Sequence, residues 1–252
     1  MARKKAAEAE ENIFWVTMSD LFLGMFMVFA TLFFAFATNS GQGSAQIQEA
    51  TTEMVQEVVQ EMEKQNIKVR LIDETKPEQT TDKEHVHVEM DPITGLVRIS
   101  DLELFDLNSS QLTPKGKDFL NKFIPVYFDC IFKKELAEYV AAVVVQGHTD
   151  STNFRGNYTV EQQYMKNMNL SMNRAYNVAN FVFIKCSNKS YQKELTKTIK
   201  VEGASSSRPI MIDGVEDKKK SRRVELRIMF KKPINDVLSQ FLMNGANYED
   251  VR

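Results

Sequence analysis

Two cysteines in 252 residues cannot build a disulfide framework, so a folded domain here must rest on a hydrophobic core. One tryptophan, ten glycines and six prolines rule out collagen-like and low-complexity compositions. Neither sign of charge dominates, since 32 lysines and arginines face 34 aspartates and glutamates and the pI is near 6.0. The basic footprint of a nucleic-acid-binding protein is missing, and no nucleic-acid partner is expected. Nor does the chain carry a Ser-His-Asp set, a phosphate loop or metal-ligand spacing, so no hydrolytic activity, metal or cofactor is expected. His85 and His87 alternate on a strand and could seat a metal only with further ligands that the sequence does not supply.

Long apolar runs are also scarce: there is one, Ile13 to Thr38, reading IFWVTMSDLFLGMFMVFATLFFAFAT. It exceeds the roughly 20 residues that cover a bilayer core. No small-residue cleavage site interrupts it, so it reads as a signal anchor. Arg3, Lys4 and Lys5 precede it and no basic residue follows it closely, which places the N-terminus in the cytoplasm and the rest outside. Within the run stands Asp20, whose ionised form costs roughly 2.5 to 3.5 kcal/mol on insertion scales. A partner helix, a water path or a titrating proton must compensate. Thr17, Gly24, Val28 and Thr31 share its helical face, while phenylalanines cover the others.

Past the polar break TNSGQGS, residues 45–66 read as a polar helix with Ile47, Met54, Val55, Val58, Val59 and Met62 on a narrow seam. Self-association and a solvated spacer are equally compatible with it. IKVRLI alternates like a short strand before a polar linker with Pro77. The domain is expected to begin near residue 84, with HVHVEM and LVRISDLELF as strands around the turn DPITG. Thr113 and Pro114 open a helix towards Cys130, YVAAVVVQGHTD is a buried strand, and LSMNRAYNVANFVFI is a second helix. TIKVEGA and RRVELRIMF complete a β-α-β-α-β-β order, an α+β fold with helices on one face of a mixed sheet. Two parallel crossovers would bring Cys130 and Cys186 to the same edge, where a bridge would be worth roughly 2 to 4 kcal/mol. Free buried thiols are the alternative. The expected organisation is a cytoplasmic tail at 1–12, a span at 13–38, a periplasmic linker at 39–83, a domain at 84–232 and a tail at 233–252.

Taken together, ELFDLNSSQLTPKG, VVVQGHTDSTN, NMNLSMNRAYNV, VEGASSSRP and SRRVELRIMF resemble the successive signatures of the OmpA-like peptidoglycan-binding domain. That resemblance implies that Asp150 and Arg174 hold the zwitterionic diaminopimelate of the wall peptide, with Asn167, Thr149, Leu170 and Arg223 shaping the pocket. The charges suit the task, because a carboxylate takes an ammonium and a guanidinium grips a carboxylate in a fork. The chain departs from the pattern in a longer loop at Ser151 to Lys166, and in Ser221-Arg222-Arg223 where the family has Asn-Arg-Arg.

FWVTMSDLFLGMFMVF resembles the ion-carrying helix of MotB-type stator subunits, and the SDL triplet, short tail and SRRVELRIMF ending are most similar to the ZorB branch of the Zorya anti-phage system. The resemblance implies a bacterial inner-membrane protein whose Asp20 carries an ion, H+ with Na+ as the alternative, supported by Thr17 and Thr31. It further implies a homodimer of this chain inside a ring of five MotA-like or ZorA-like multi-span subunits. A flagellar-type stator and a passive wall tether share these features, and the second predicts that Asp20 is dispensable.

Overall fold

The computed structural model describes the backbone of residues 2–73 and 88–231, and within these the side chains of all but 2–14, 36–44 and 134–135. His85 and His87 therefore lie outside the described residues, as does the tail at 233–252.

The chain opens with helix α1 (Ala2–Lys64). Its stretch Trp15–Ala35 has a mean hydropathy of 1.9 and is the one described helix long and apolar enough to cross a membrane. Trp15, Phe22, Phe26, Phe29 and Phe33 all lie exposed along it. Residues Ile47–Lys231 form a separate compact unit, which the last turns of α1 enter.

After α1 come β1 (Val69–Leu71), β2 (Val88–Met90), β3 (Val97–Ser100), α2 (Asp101–Leu104), α3 (Pro114–Ile131), α4 (Lys134–Ala137) and β4 (Val140–His148). Then follow α5 (Val160–Lys185), α6 (Gln192–Thr198), β5 (Ile199–Gly203), β6 (Met211–Ile212), β7 (Val215–Glu216), α7 (Lys218–Ser221) and β8 (Arg223–Phe230). Six strands form a mixed sheet in the order β1-β2-β3-β8-β4-β5, and β6 with β7 makes a separate hairpin. The β4–β5 pair is parallel, as its α5 crossover requires, and β8 runs antiparallel between β3 and β4.

Local chemistry accounts for the element ends. The Thr113 hydroxyl accepts the Gly116 N–H at 2.9 Å with Pro114 at the first helical position of α3. A reciprocal capping box of Thr159 and Gln162 starts α5 ten residues before the LSMNRA motif. Asp91 closes the DPITG turn by accepting the N–H groups of Ile93 and Thr94 at 2.7 and 3.2 Å, and Gly95 adopts φ +68°. The LVRISDLELF segment is strand only as far as Ser100; Asp101–Leu104 turns helical.

The core lies between one sheet face and the helices. Phe119, Leu120, Phe123, Ile124, Tyr127, Phe128 and Ile131 supply the inner face of α3, at spacings of three and four. Met54, Val55, Val58 and Met62 of α1 are buried in the same cluster. The seam expected either to pair with a second copy or to remain a solvated spacer is thus spent on the domain's own core, and β1 joins the sheet instead of lying in a linker. On the other sheet face Arg70, Glu89, Arg98, Glu225, Gln146 and Glu202 stand in register across all six strands.

Cys130 and Cys186 are both buried and both free, so no bridge joins the ends of α3 and α5. Their sulfurs face different partners: Cys130 lies against Glu57 of α1, and Cys186 Sγ is 3.8 Å from the Tyr191 hydroxyl. Burial, with Glu57 adding to it, pushes the Cys130 thiol up to about 12, and burial raises Cys186 as well. Both stay protonated at neutral pH and pack as small apolar groups.

Candidate ligand-binding cleft

The end of β4 delivers His148, Thr149 and Asp150 to the rim of the sheet. The approach depends on Gly147, where a Cβ would fall 2.0 Å from the Ser171 carbonyl oxygen of α5. That contact draws the helix over the strand end and places Asn167, Leu170 and Arg174 beside Asp150. The cleft between them measures about 620 Å³, and Thr149, Asp150, Asn167, Leu170 and Arg174 all line it. Five of the six residues the sequence nominated are thus brought together.

Arg223 is not. Its Nε bonds Glu225 Oε1 at 2.7 Å and its Nη1 donates to the carbonyls of Arg208 and Ser221 at 3.2 and 3.1 Å, all inside the protein. Arg223 opens β8 in register with His148, and its side chain follows that strand's polar face. The residue before it, Arg222, is the one that lines the cleft and pairs with Asp150.

The cleft's charges form an alternating chain. Asp150 accepts from Arg222 and from the Thr152 N–H at 3.0 Å. Arg222 Nε lies 3.7 Å from Asp101 Oδ2, which pairs at 3.1 Å with Arg174 Nη1. Arg174 Nε donates to the Ser109 carbonyl at 2.8 Å and the guanidinium stacks on the Phe105 ring at 5.2 Å. Burial pushes the Asp101 carboxyl up to about 6 against the pull of both arginines, and burial also lowers Arg174. Arg155 adds a further cation to the lining. The Thr149 hydroxyl is buried without a hydrogen-bond partner among the described residues, a polar atom left for a ligand or water.

Asp101, Arg222, Arg155 and Phe154 escaped the sequence reading. Asp101 sits in a segment read as strand, and only its acidic identity beside two later arginines could have pointed to it. His148 is wholly buried, its Nε2 3.4 Å from Glu225 Oε2, and burial holds its pKa below the ordinary value. For Glu225 burial acts upward, yet His148 and Arg223 outweigh it and hold the carboxyl well below the usual range. This is a structural network, and no group of three His, Cys, Asp or Glu able to hold a metal occurs among the described residues.

Asp20 stands exposed on the apolar stretch of α1 with Thr17 and Thr31 on its face. The Thr31 hydroxyl is turned to its own helix, 2.9 Å from both the Met27 and the Val28 carbonyls. A Cβ added at Gly24 would meet nothing within 4 Å, leaving a shallow notch one turn from the carboxylate.

An apolar helix long enough to cross a membrane, followed by a mixed sheet with a cleft of both charges at one strand end, defines the class: a chain that carries an OmpA-type domain behind an apolar helix. The OmpA family model matches residues 104–223. The chain belongs to the ZorB family, being 30% identical over 222 residues to "Zorya protein ZorB" of Escherichia coli (strain Crooks), with 87% of this chain and 89% of that protein covered. A second protein of that name, from Escherichia coli O139:H28, is 21% identical over 90% of this chain and 85% of its own length. Among solved structures, a putative MotB-like protein from Desulfovibrio vulgaris is similar with TM-score 0.48 at 14% identity, covering 75% of this chain and 99% of its own. A MotB periplasmic domain gives 0.44 at 18%, covering 64% and 76%.

Proposed function

We propose that this chain is the wall-anchored B subunit of an ion-driven rotary membrane motor acting in anti-phage defence. The observation that carries the reading is the combination, in one chain, of a lone carboxylate on an apolar helix with a buried alternating-charge cleft. The helix crosses the inner membrane with its N-terminus in the cytoplasm, where Arg3, Lys4 and Lys5 stand, and the domain faces the periplasm.

Asp20 accepts a proton from the periplasmic side and releases it inward as a surrounding ring of multi-span subunits steps around a dimer of this chain. Each charge crossing 100 mV carries about 2.3 kcal/mol, so repeated steps do mechanical work. Gly24 lets a partner helix approach the carboxylate closely. The cleft holds the zwitterionic diamino acid of the wall peptide, with Asp150 taking the ammonium and Arg174 and Arg222 the carboxylate. Arg222, and not Arg223, stands in the cleft lining beside Asp150 and Arg174. The wall then holds this subunit still, and the ring turns. Ion translocation is the activity; no hydrolytic step is assigned.

Phage plaquing on cells carrying the native gene cluster tests the motor, comparing wild type with Asp20→Asn at matched membrane expression. The expected outcome is loss of protection with Asp20→Asn. Full protection by that variant would reduce the protein to a passive tether.

A further inference from the structure

Strand β5 closes one side of the six-stranded sheet, and among the described residues only β4 pairs with it. The Ala204 N–H bonds the Gly147 carbonyl of β4 at 2.9 Å. Backbone groups alternate in direction along a strand, so the N–H and C=O of Ile199, Val201 and Gly203 face outward, away from the sheet. Lys200, Val201 and Glu202 are all exposed. An open row of donors and acceptors is a template for another strand, and folded domains usually blunt it with a bulge, a proline or repelling charge. The sequence IKVEG has no proline, its register with β4 is unbroken, and its two charges are of opposite sign on either side of Val201.

Resting on the dimer of the motor reading above, we propose that β5 pairs antiparallel with β5 of a second copy of this chain about a two-fold axis through Val201. The two six-stranded sheets then join edge to edge. A contact of this symmetry must be self-complementary, and this strand is. With Val201 opposite Val201, Lys200 of each copy stands across from Glu202 of the other on one sheet face, so both symmetry-related pairs join opposite charges. Centring the pair on Lys200 or on Glu202 would set like charges face to face, which fixes the register. In the favoured register the outward groups of the two Val201 residues exchange both N–H···O bonds, and Ile199 does the same with Gly203.

The other sheet face adds apolar surface. Gly203 lets α5 lie close, since a Cβ there would fall 3.0 Å from the Met172 Cβ. Met172 and Tyr176, one helical turn apart, are both exposed, as is Val201. Pairing about that axis puts both α5 helices on the same side of the joined sheet. Met172, Tyr176 and Val201 of the two copies then line one seam and leave water together. The opposite edge offers none of this: β1 has three residues, and its central Arg70 is already paired with Glu89 of β2.

Cysteine cross-linking of the full chain in native membranes tests the contact. Opposed residues of an antiparallel hydrogen-bonded pair lie about 5.5 Å apart at Cα, within disulfide reach. Val201→Cys under a mild copper oxidant should give a dimer on non-reducing gels. Wild type, whose cysteines are buried, and Met211→Cys, exposed on the separate hairpin, should stay monomeric. In the Val201→Cys background, Lys200→Glu or Glu202→Lys should cut the cross-linked fraction about tenfold, because two symmetry-related pairs turn repulsive at once, and both reversals together should restore it. That recovery places the fault of the single variants at the contact and not in folding. No dimer from Val201→Cys, equal cross-linking at Met211→Cys, a yield indifferent to the reversals, or reversals that the pair does not rescue would each overturn the edge contact. Light scattering of the full chain in detergent separates the two readings: a dimer that does not cross-link at residue 201 removes this contact alone, whereas a monomer removes the proposed dimer with it.

Discussion

Arg223 begins β8 and turns its guanidinium to Glu225, while Arg222, one residue earlier, reaches Asp150 and Asp101. Adjacent residues at a strand start project to opposite sides, so a motif matched by identity alone picks the wrong arginine when the start of the strand is off by one. Asp101 has the further consequence of making the cleft sensitive to pH. Its carboxyl is raised from 3.8 to about 6 by burial. For stability, such an acid contributes fully below its ordinary value and loses that contribution as pH rises through about 6; at neutral pH the charged form is a cost. For binding, a ligand carboxylate brought to Arg174 repels the Asp101 carboxylate and raises its pKa further, so binding takes up a proton. Affinity for the zwitterionic stem peptide should therefore climb as pH is lowered from 8 towards 6 and level off below it. Titrations across that range on wild type and Asp101→Asn check this: the substitution should flatten the profile, and a wild-type profile already flat would show that Asp101 stays out of the exchange.

At the scale of elements, the α+β order, the mixed sheet and the two long helices were legible because hydrophobic period and caps agree: Thr113-Pro114 starts α3, and residues 140–145 of β4 are an unbroken run of valine and alanine. The extent of the domain was not. A seam of Met54, Val55, Val58 and Met62 has the same period whether it meets a second copy or the flank of α3, and periodicity names a buried face without naming what buries it. Likewise IKVRLI alternates like a strand, but that this strand belongs to the domain's sheet is visible only once β1 pairs with β2. The charged cleft was half legible for a related reason: Asp150 and Arg174 sit in recognisable motifs, whereas Asp101 opens the one-turn helix α2 and Phe154 lies in the connection between β4 and α5, placements that only the packing decides. If the end of α1 belongs to the core, Met62→Ala should cost about 2 to 5 kcal/mol, the usual range for a buried methionine truncated to alanine. Urea unfolding of the full chain in detergent measures it; a loss below about 0.5 kcal/mol would mean that α1 is a detachable spacer.

For the whole molecule, the proposed motor places two sites in mechanical series, since torque needs an ion at Asp20 and a fixed subunit at the Asp150 cleft. Groups in series do not add. Once either is lost the output is already lost, and removing the other changes nothing further, whereas independent contributions would multiply. Protection against phage should therefore fall to the level of cells without the system in Asp20→Asn, in Asp150→Asn and in the double variant alike, at equal membrane abundance. The carboxylate-to-amide changes keep the shape of both side chains, and Asp150→Asn retains an oxygen for the Thr152 N–H, so folding should survive. Plaque counts for wild type, the three variants and cells without the system, with blots of membrane fractions, read the pattern directly. Partial losses in the single variants that multiply in the double one would mean that wall attachment and ion flow serve defence separately, and the rotary reading would give way to a tether with an unrelated channel.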